Sequence, residues 1–226
     1  VAEQKAVLER VLKDQRGLLQ KYVNEDVTAI PQAFIPYKEV LDIYNAGLQV
    51  PDDVTLIWCD DNYGYIRHFP TAEERARKGG NGIYYHVSYW GRPHDYLWLG
   101  TFSPYLLHKQ MKLAYDRGIQ KMWVLNVGDI KPAEYQIELF LDMAWNIDEV
   151  NEIGVTAHLK SWLGREFGSN CAEELLPAME AHYQLSYIRK PEFMGNTREE
   201  ERDPKYKVIK DLPWSEQTIS ERLRSY

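Results

Sequence analysis

Glu39 and Asp60 lie 21 residues apart, and each closes an apolar run. Ile35-Pro36-Tyr37-Lys38 precedes the first and Leu56-Ile57-Trp58-Cys59 the second. Two carboxyl groups that face one hollow can divide the work of hydrolysis, one giving a proton to the leaving atom while the other activates water. Residue types alone leave ordinary roles open. Glu39 could pair with a lysine at a strand end, and Asp60 could cap a turn with its neighbour Asn62.

Further polar and aromatic groups fall near the same segments. His86 sits in the aromatic run Ile83-Tyr84-Tyr85-His86-Val87-Ser88-Tyr89-Trp90, where a satisfied core histidine is the commoner finding. Trp58 and Trp90 could stack on a sugar ring or fill a core. Arg67 and Arg92 could hold a carboxylate through a bidentate contact or form surface ion pairs.

These groups need elements to carry them. Residues 33–37 and 54–59 read as buried strands, and residues 40–50 between them read as a helix followed by the Pro51-Asp52-Asp53 turn. The spacing predicts a third strand over 83–90 and a fourth over 121–127. Ser103-Pro104 and Gly118 bracket a helix around 106–115, and Pro132 opens another. Val7, Leu8, Val11, Leu12, Leu18, Leu19 and Tyr22 recur at helical spacing, so the first 23 residues read as one amphipathic helix. The charged run over 71–81 reads as a surface excursion, a solvated loop or short helix.

Such alternation favours parallel strands joined by crossover helices. Polar residues then gather at the carboxyl ends of the strands, where α/β proteins place their chemistry. Past residue 150 the texture becomes helical, over 155–167, 171–188 and 210–226, and 197–207 reads as an exposed connection. The expected organisation is an α/β region over residues 1–150 and a helical domain, or its beginning, over 151–226.

The bulk composition excludes several classes. A net charge of −7 argues against nucleic acid or an anionic membrane as the main partner. No stretch is long and apolar enough to span a membrane. Two cysteines, Cys59 and Cys171, read as unpaired buried thiols. Neither a glycine-rich phosphate loop nor a histidine or cysteine pair with metal-ligand spacing occurs, so no nucleotide, cofactor or metal is implied. Tyrosine and tryptophan, 16 and 7 against 6 phenylalanines, suit wet clefts and carbohydrate stacking. The chain opens on Val1 inside helical periodicity, without initiator methionine or export signal, and reads as a piece of a longer polypeptide.

Tyr37-Lys38-Glu39, Val54-Thr55-Leu56-Ile57-Trp58-Cys59-Asp60-Asp61-Asn62-Tyr63-Gly64 and Gly80-Asn81-Gly82-Ile83-Tyr84-Tyr85-His86-Val87-Ser88-Tyr89-Trp90-Gly91 together resemble glycoside hydrolase family 115. The similarity runs in order through residues 33 to about 150. Members are α-glucuronidases that remove glucuronic acid or its 4-O-methyl ether from xylan. The resemblance implies an inverting glycosidase, free of metal or organic cofactor, with its site at the carboxyl end of a (β/α)8 barrel. It implies that Glu39 and Asp60 are catalytic, that Tyr37 and His86 belong to the site, and that Asn62 and Asn126 line the sugar. Trp90 and Arg92 join the expected substrate-binding set. Inverting hydrolysis places its carboxyls about 6.5–9.5 Å apart, a separation that neighbouring strand ends can supply.

Four βα units make half of an eight-fold barrel. The first strands of the family's barrel, with further charged site residues, have no counterpart in the chain. The strand edges left open must be covered by a missing N-terminal portion, by a second copy or by a rearranged fold. The expected activity is release of (4-O-methyl-)glucuronic acid from glucuronoxylan or its oligosaccharides, absent from the isolated monomer. A non-catalytic carbohydrate-binding or assembly module is the alternative. The resemblance further implies a secreted or periplasmic protein.

Overall fold

The computed structural model describes residues 2–91 and 94–194. Four strands form one sheet in the order β1-β2-β3-β4: β1 (Ala33–Phe34), β2 (Thr55–Cys59), β3 (Asn81–His86) and β4 (Met122–Asn126). β1 and β2 pair in parallel with Ala33 opposite Thr55, and β2 and β3 in parallel with Leu56 opposite Asn81. Lys121 N–H donates to the Asn81 carbonyl and Val87 N–H to the Asn126 carbonyl, so β4 also runs parallel to β3. The helices α2 (Glu39–Asn45), α3 (Ala72–Arg75) and α4 (Pro104–Asp116) stand in the successive crossovers. A helix α1 (Ala2–Tyr22) precedes the sheet, and α5 (Glu134–Trp145), α6 (Ile147–Phe167) and α7 (Ser169–Ile188) follow it. This mixed α/β arrangement is a partial barrel followed by a helical region.

By its contacts the chain divides into two units. Among the described residues, one comprises 2–61, 65–85 and 113–124, the other 62–64, 86–91, 94–112 and 125–194. In the first, Leu56, Ile57, Trp58, Ile83 and Tyr85 of the inner strands are almost fully buried. The continuous apolar run of β2 is what a parallel strand covered on both faces requires. The outer strands are less covered: Ile35, just past β1, and Met122 in β4 are exposed. Helix α1 buries no residue, and Val7, Val11 and Leu18 of its apolar stripe lie open. Arg16 ties it down through a bidentate bond to the Asp53 carboxylate at 2.9 and 3.0 Å.

In the second unit Tyr135, Leu139 and Phe140 of α5 pack with Leu159 and Leu163 of α6 and Tyr183 of α7 in a core of their own. Gln136 Nε2 donates to the carbonyls of Gly100 and Phe102, both at 3.1 Å, and so fixes the approach to α4. Burial raises the phenol pKa of both Tyr135 and Tyr183, as befits neutral core tyrosines. α6 is broken at Gly154, whose φ of 76° is open to glycine and strained for other residues.

Several expectations are corrected in detail. β1 stops at Phe34 instead of Tyr37, because Pro36 lacks the N–H a ladder needs and Tyr37 N–H turns back to the Ile35 carbonyl at 3.0 Å. β3 ends at His86 instead of Trp90. The chain then doubles back, and Tyr89 and Tyr96 exchange two antiparallel backbone bonds of 2.8 and 2.9 Å. The segment over 71–81 carries the expected short helix, α3, but is not all surface, since Glu74 and Asn81 lie in the interior. Cys59 is partly buried as a free thiol, whereas Cys171 is exposed. The helices expected over 155–167 and 171–188 form within α6 and α7, while the helix expected over 210–226 and the exposed connection expected over 197–207 lie outside the described residues.

Candidate active site

Within the first unit, the parallel pairing of β1 with β2 brings the two carboxylate segments out at the same ends of adjacent strands. After β1 the chain turns through Lys38, with φ 51° and ψ −121°, and Glu39 becomes the first residue of α2 instead of a strand end. The Lys38 ammonium lies 5.1 Å from the centre of the Tyr37 ring. Tyr37 is half-buried and Glu39 is exposed.

Asp60 follows β2 directly, is 4 % exposed and forms an isolated antiparallel bridge with Ile66. That bridge is local, closed by Asp61 N–H to the Tyr65 carbonyl at 2.9 Å and by Tyr65 N–H to Asp61 Oδ1 at 3.0 Å. Arg67 binds the other Asp61 oxygen at 2.6 and 3.1 Å, so its guanidinium already holds a carboxylate of this chain. Burial, together with the negative charge of Asp60, pushes the Cys59 thiol up to about 12 and leaves it protonated and unreactive near neutrality.

Beneath Asp60 a polar network fixes β2. Trp58, fully buried, donates from Nε1 to Asn81 Oδ1 at 2.9 Å and stacks on His68 with ring centres 3.9 Å apart. Trp58 is therefore a core residue and offers no face to a ligand. Thr71 and Glu74 form a reciprocal capping box at the start of α3. The Glu74 carboxylate accepts from Thr71 N–H at 2.7 Å and the Tyr44 hydroxyl at 2.8 Å, and lies 3.0 Å from His68 Nε2. Burial alone would raise its pKa. The bonds from Thr71, His68 and Tyr44 outweigh that and hold it below the ordinary 4.5. This support was missed because its residues read as a charged run. The Thr71-x-x-Glu74 spacing was the signal that could have found it.

Within the second unit, Asn62 is buried with φ 70°, a left-handed conformation that asparagine tolerates better than most residues. Its carbonyl accepts from the Tyr96 hydroxyl at 2.5 Å. Gly64 also needs positive φ, and a Cβ there would come within 2.5 Å of the Phe102 ring. Tyr63 meets Tyr89, Tyr96 and Phe193 at ring separations of 5.8–5.9 Å. His86, 5 % exposed, packs edge-on against Tyr89 at 5.9 Å. Asn126 is half-buried at the end of β4, its carbonyl bound to Val87 N–H. Trp90 is 71 % exposed, with its indole open to solvent. Arg92 lies outside the described residues.

Lys190 was not foreseen from sequence. Its ammonium lies 4.9 Å from the Tyr96 ring and 5.4 Å from that of Phe102, and it donates to the Thr101 carbonyl at 2.7 Å. Desolvation between these rings lowers its pKa to about 8, against the opposing pull of Glu192. The lysine thus braces the aromatic cluster on which Asn62 and Tyr63 sit.

Among the described residues, Glu138, Asp142 and His158 form a group with ligand atoms within 4.8 Å of one another. Arg165 bonds to Glu138, and His158 Nε2 lies 3.0 Å from Asp142 Oδ2, so the two carboxylates already have cationic or polar partners. No described helix is long and apolar enough to cross a membrane.

The family model of glycosyl hydrolase family 115 matches residues 1–193. No curated protein matches. A solved structure superimposes with a TM-score of 0.92 at 76 % sequence identity and covers 99 % of this chain. It is a 4-O-methyl-α-glucuronidase of family GH115 with specificity for decorated arabinogalactans. The chain spans 30 % of that relative's length.

Proposed function

Because the chain belongs to glycosyl hydrolase family 115, we propose that it supplies the carboxylate segments of an α-glucuronidase site, with Glu39 and Asp60 as the acid–base pair of an inverting hydrolysis. One carboxyl protonates the glycosidic oxygen, the other takes a proton from the attacking water, and the configuration at the anomeric carbon inverts. Tyr37, Asn62, His86 and Asn126 bind the uronic acid, with Trp90 and Arg92 at its margin. The observation that supports this reading is the parallel β1–β2 pairing, after which both acidic segments leave adjacent strands at the same ends. Among described residues, the two non-glycine positions with positive φ are Lys38 and Asn62, one in each segment. Such backbone outliers concentrate where a site is held against its local preference.

The sugar released is glucuronic acid or its 4-O-methyl ether. Decorated arabinogalactan is the first polysaccharide to assay and glucuronoxylan the second, since the 76 %-identical relative is specific for the former. Polymers of this size are met outside the cytoplasm, which supports a secreted or periplasmic location.

Glu39 is exposed. A general acid works best in a water-poor enclosure, so the isolated chain lacks part of what the reaction needs. The remainder comes from an N-terminal portion of the same protein or from a second copy. The same exposure favours the second reading, a module that binds sugar or assembles without turnover.

The test compares the full-length protein, its Glu39→Gln and Asp60→Asn variants, and residues 1–226 alone, by release of glucuronic acid. Full-length protein is expected to turn over, and each substitution to lower kcat by about 10²–10⁴ with binding retained. Turnover that survives both substitutions refutes the assignment. Comparable turnover by residues 1–226 alone refutes the need for a completing part.

A further inference from the structure

We propose that the cleft between α5 and α6 is a second carbohydrate-binding subsite that takes one neutral sugar ring of a polysaccharide. The cleft encloses about 260 Å³ and is lined by Asp142, Trp145, Asn146, Glu149, His158 and Arg165, among others. That is room for one sugar ring. Trp145 is 92 % exposed at its rim, the most open of the large apolar side chains among the described residues. An indole costs free energy when left in water and has a flat face on which the C–H face of a pyranose can stack.

The lining selects the class of ligand. A protein-docking patch is depleted of charge at its centre. Here the indole adjoins two carboxylates, an amide and a guanidinium, the hydrogen-bonding set that recognises sugar hydroxyls. Carboxylate oxygens accept from vicinal hydroxyls, while the second N–H of the Asn146 amide, whose first bonds to Glu149 at 3.0 Å, and the N–H groups of Arg165 beyond the one on Glu138 donate to ring and hydroxyl oxygens. His158 is 7 % exposed and holds the Asp142 carboxylate from behind, Nε2 to Oδ2 3.0 Å, which fixes one oxygen and leaves the other to the cleft.

Charge excludes an acidic sugar. Asp142 and Glu149 both face the cleft, and the single arginine already bonds to Glu138. A uronate would meet two like charges, whereas an uncharged galactose, arabinose or xylose unit would not. The subsite therefore complements the proposed hydrolytic site, holding the neutral chain of a substrate whose acidic branch is cut elsewhere. It stands whether or not that hydrolysis is correct, because it uses none of the same residues.

The experiment is calorimetric titration of residues 1–226 with arabinogalactan oligosaccharides freed of uronic acid, with xylotetraose and with free glucuronic acid. Wild type, Trp145→Ala and Asp142→Asn are compared, each also with glucuronic acid added as competitor. A neutral oligosaccharide is expected to bind at millimolar concentration, about tenfold more weakly to Trp145→Ala and Asp142→Asn, and equally well with the competitor present. The open position of Trp145 means that its removal leaves the circular dichroism spectrum and Tm in place. The proposal fails if neither neutral sugar binds the wild type, if Trp145→Ala binds as wild type does, or if glucuronic acid is preferred. Displacement of the bound neutral sugar by added glucuronic acid would place the ligand at the proposed hydrolytic site and equally overturn the subsite.

Discussion

Glu74 shows how far a charged letter can mislead. In the sequence it is one of several charges between Glu73 and Lys78, yet its carboxylate is 8 % exposed and accepts from three elements. Replacement by Gln leaves one accepting oxygen where two served, and should cost about 1–3 kcal/mol in denaturant unfolding at neutral pH. Because its folded pKa lies below 4.5, its stabilisation is complete above that value and is lost as pH falls through the folded pKa. The gap in unfolding midpoint between wild type and Glu74→Gln should accordingly narrow on acidification from pH 7 towards 3. A gap that stays constant would mean that the charge of Glu74 is irrelevant.

Strands and turns differ in how much of their form their residues announce. β2 was legible because Val54 to Trp58 is a nearly unbroken apolar run, and a strand covered on both faces has no other pattern to show. The Ser103-Pro104 start of α4 was legible too, and Ser103 Oγ does accept from Leu106 N–H, at 3.4 Å. The reach of β1 was not. It is decided by Pro36 and by the left-handed turn at Lys38, a conformation that lysine does not advertise. Likewise Tyr89 and Trp90 continue the aromatic pattern of β3 while the backbone has already turned to pair with Tyr96. Gly64 reads as a plain turn residue, but the space it leaves is filled by Phe102 and Leu106. Gly64→Ala combines a strained φ with overpacking, and should cost about 1–3 kcal/mol in thermal or denaturant unfolding. A variant as stable as wild type would show that the loop moves aside freely.

For the chain as a whole, the family assignment and the half-barrel were readable from motif order and from the count of strand–helix units. The open state of its apolar surface was inferred from the same count. Val7, Val11, Leu18, Ile35 and Met122 are all exposed, distributed over α1 and the outer strands. Monomeric proteins seldom leave such groups open without a use for them. Residues 1–226 should therefore bind the dye ANS and associate with rising concentration in sedimentation velocity. A dye-silent monomer would contradict this.

The break at Gly154 bears on the helical region in another way. It separates Glu149 from His158 and Arg165 along α6, so residues that line the α5–α6 cleft belong to segments not held by one continuous backbone ladder. At such a break one segment can shift against the other by small torsional adjustments without unfolding either. Amide hydrogens next to Gly154 should exchange with deuterium faster than those in the middle of either segment, and an occupied cleft should slow them.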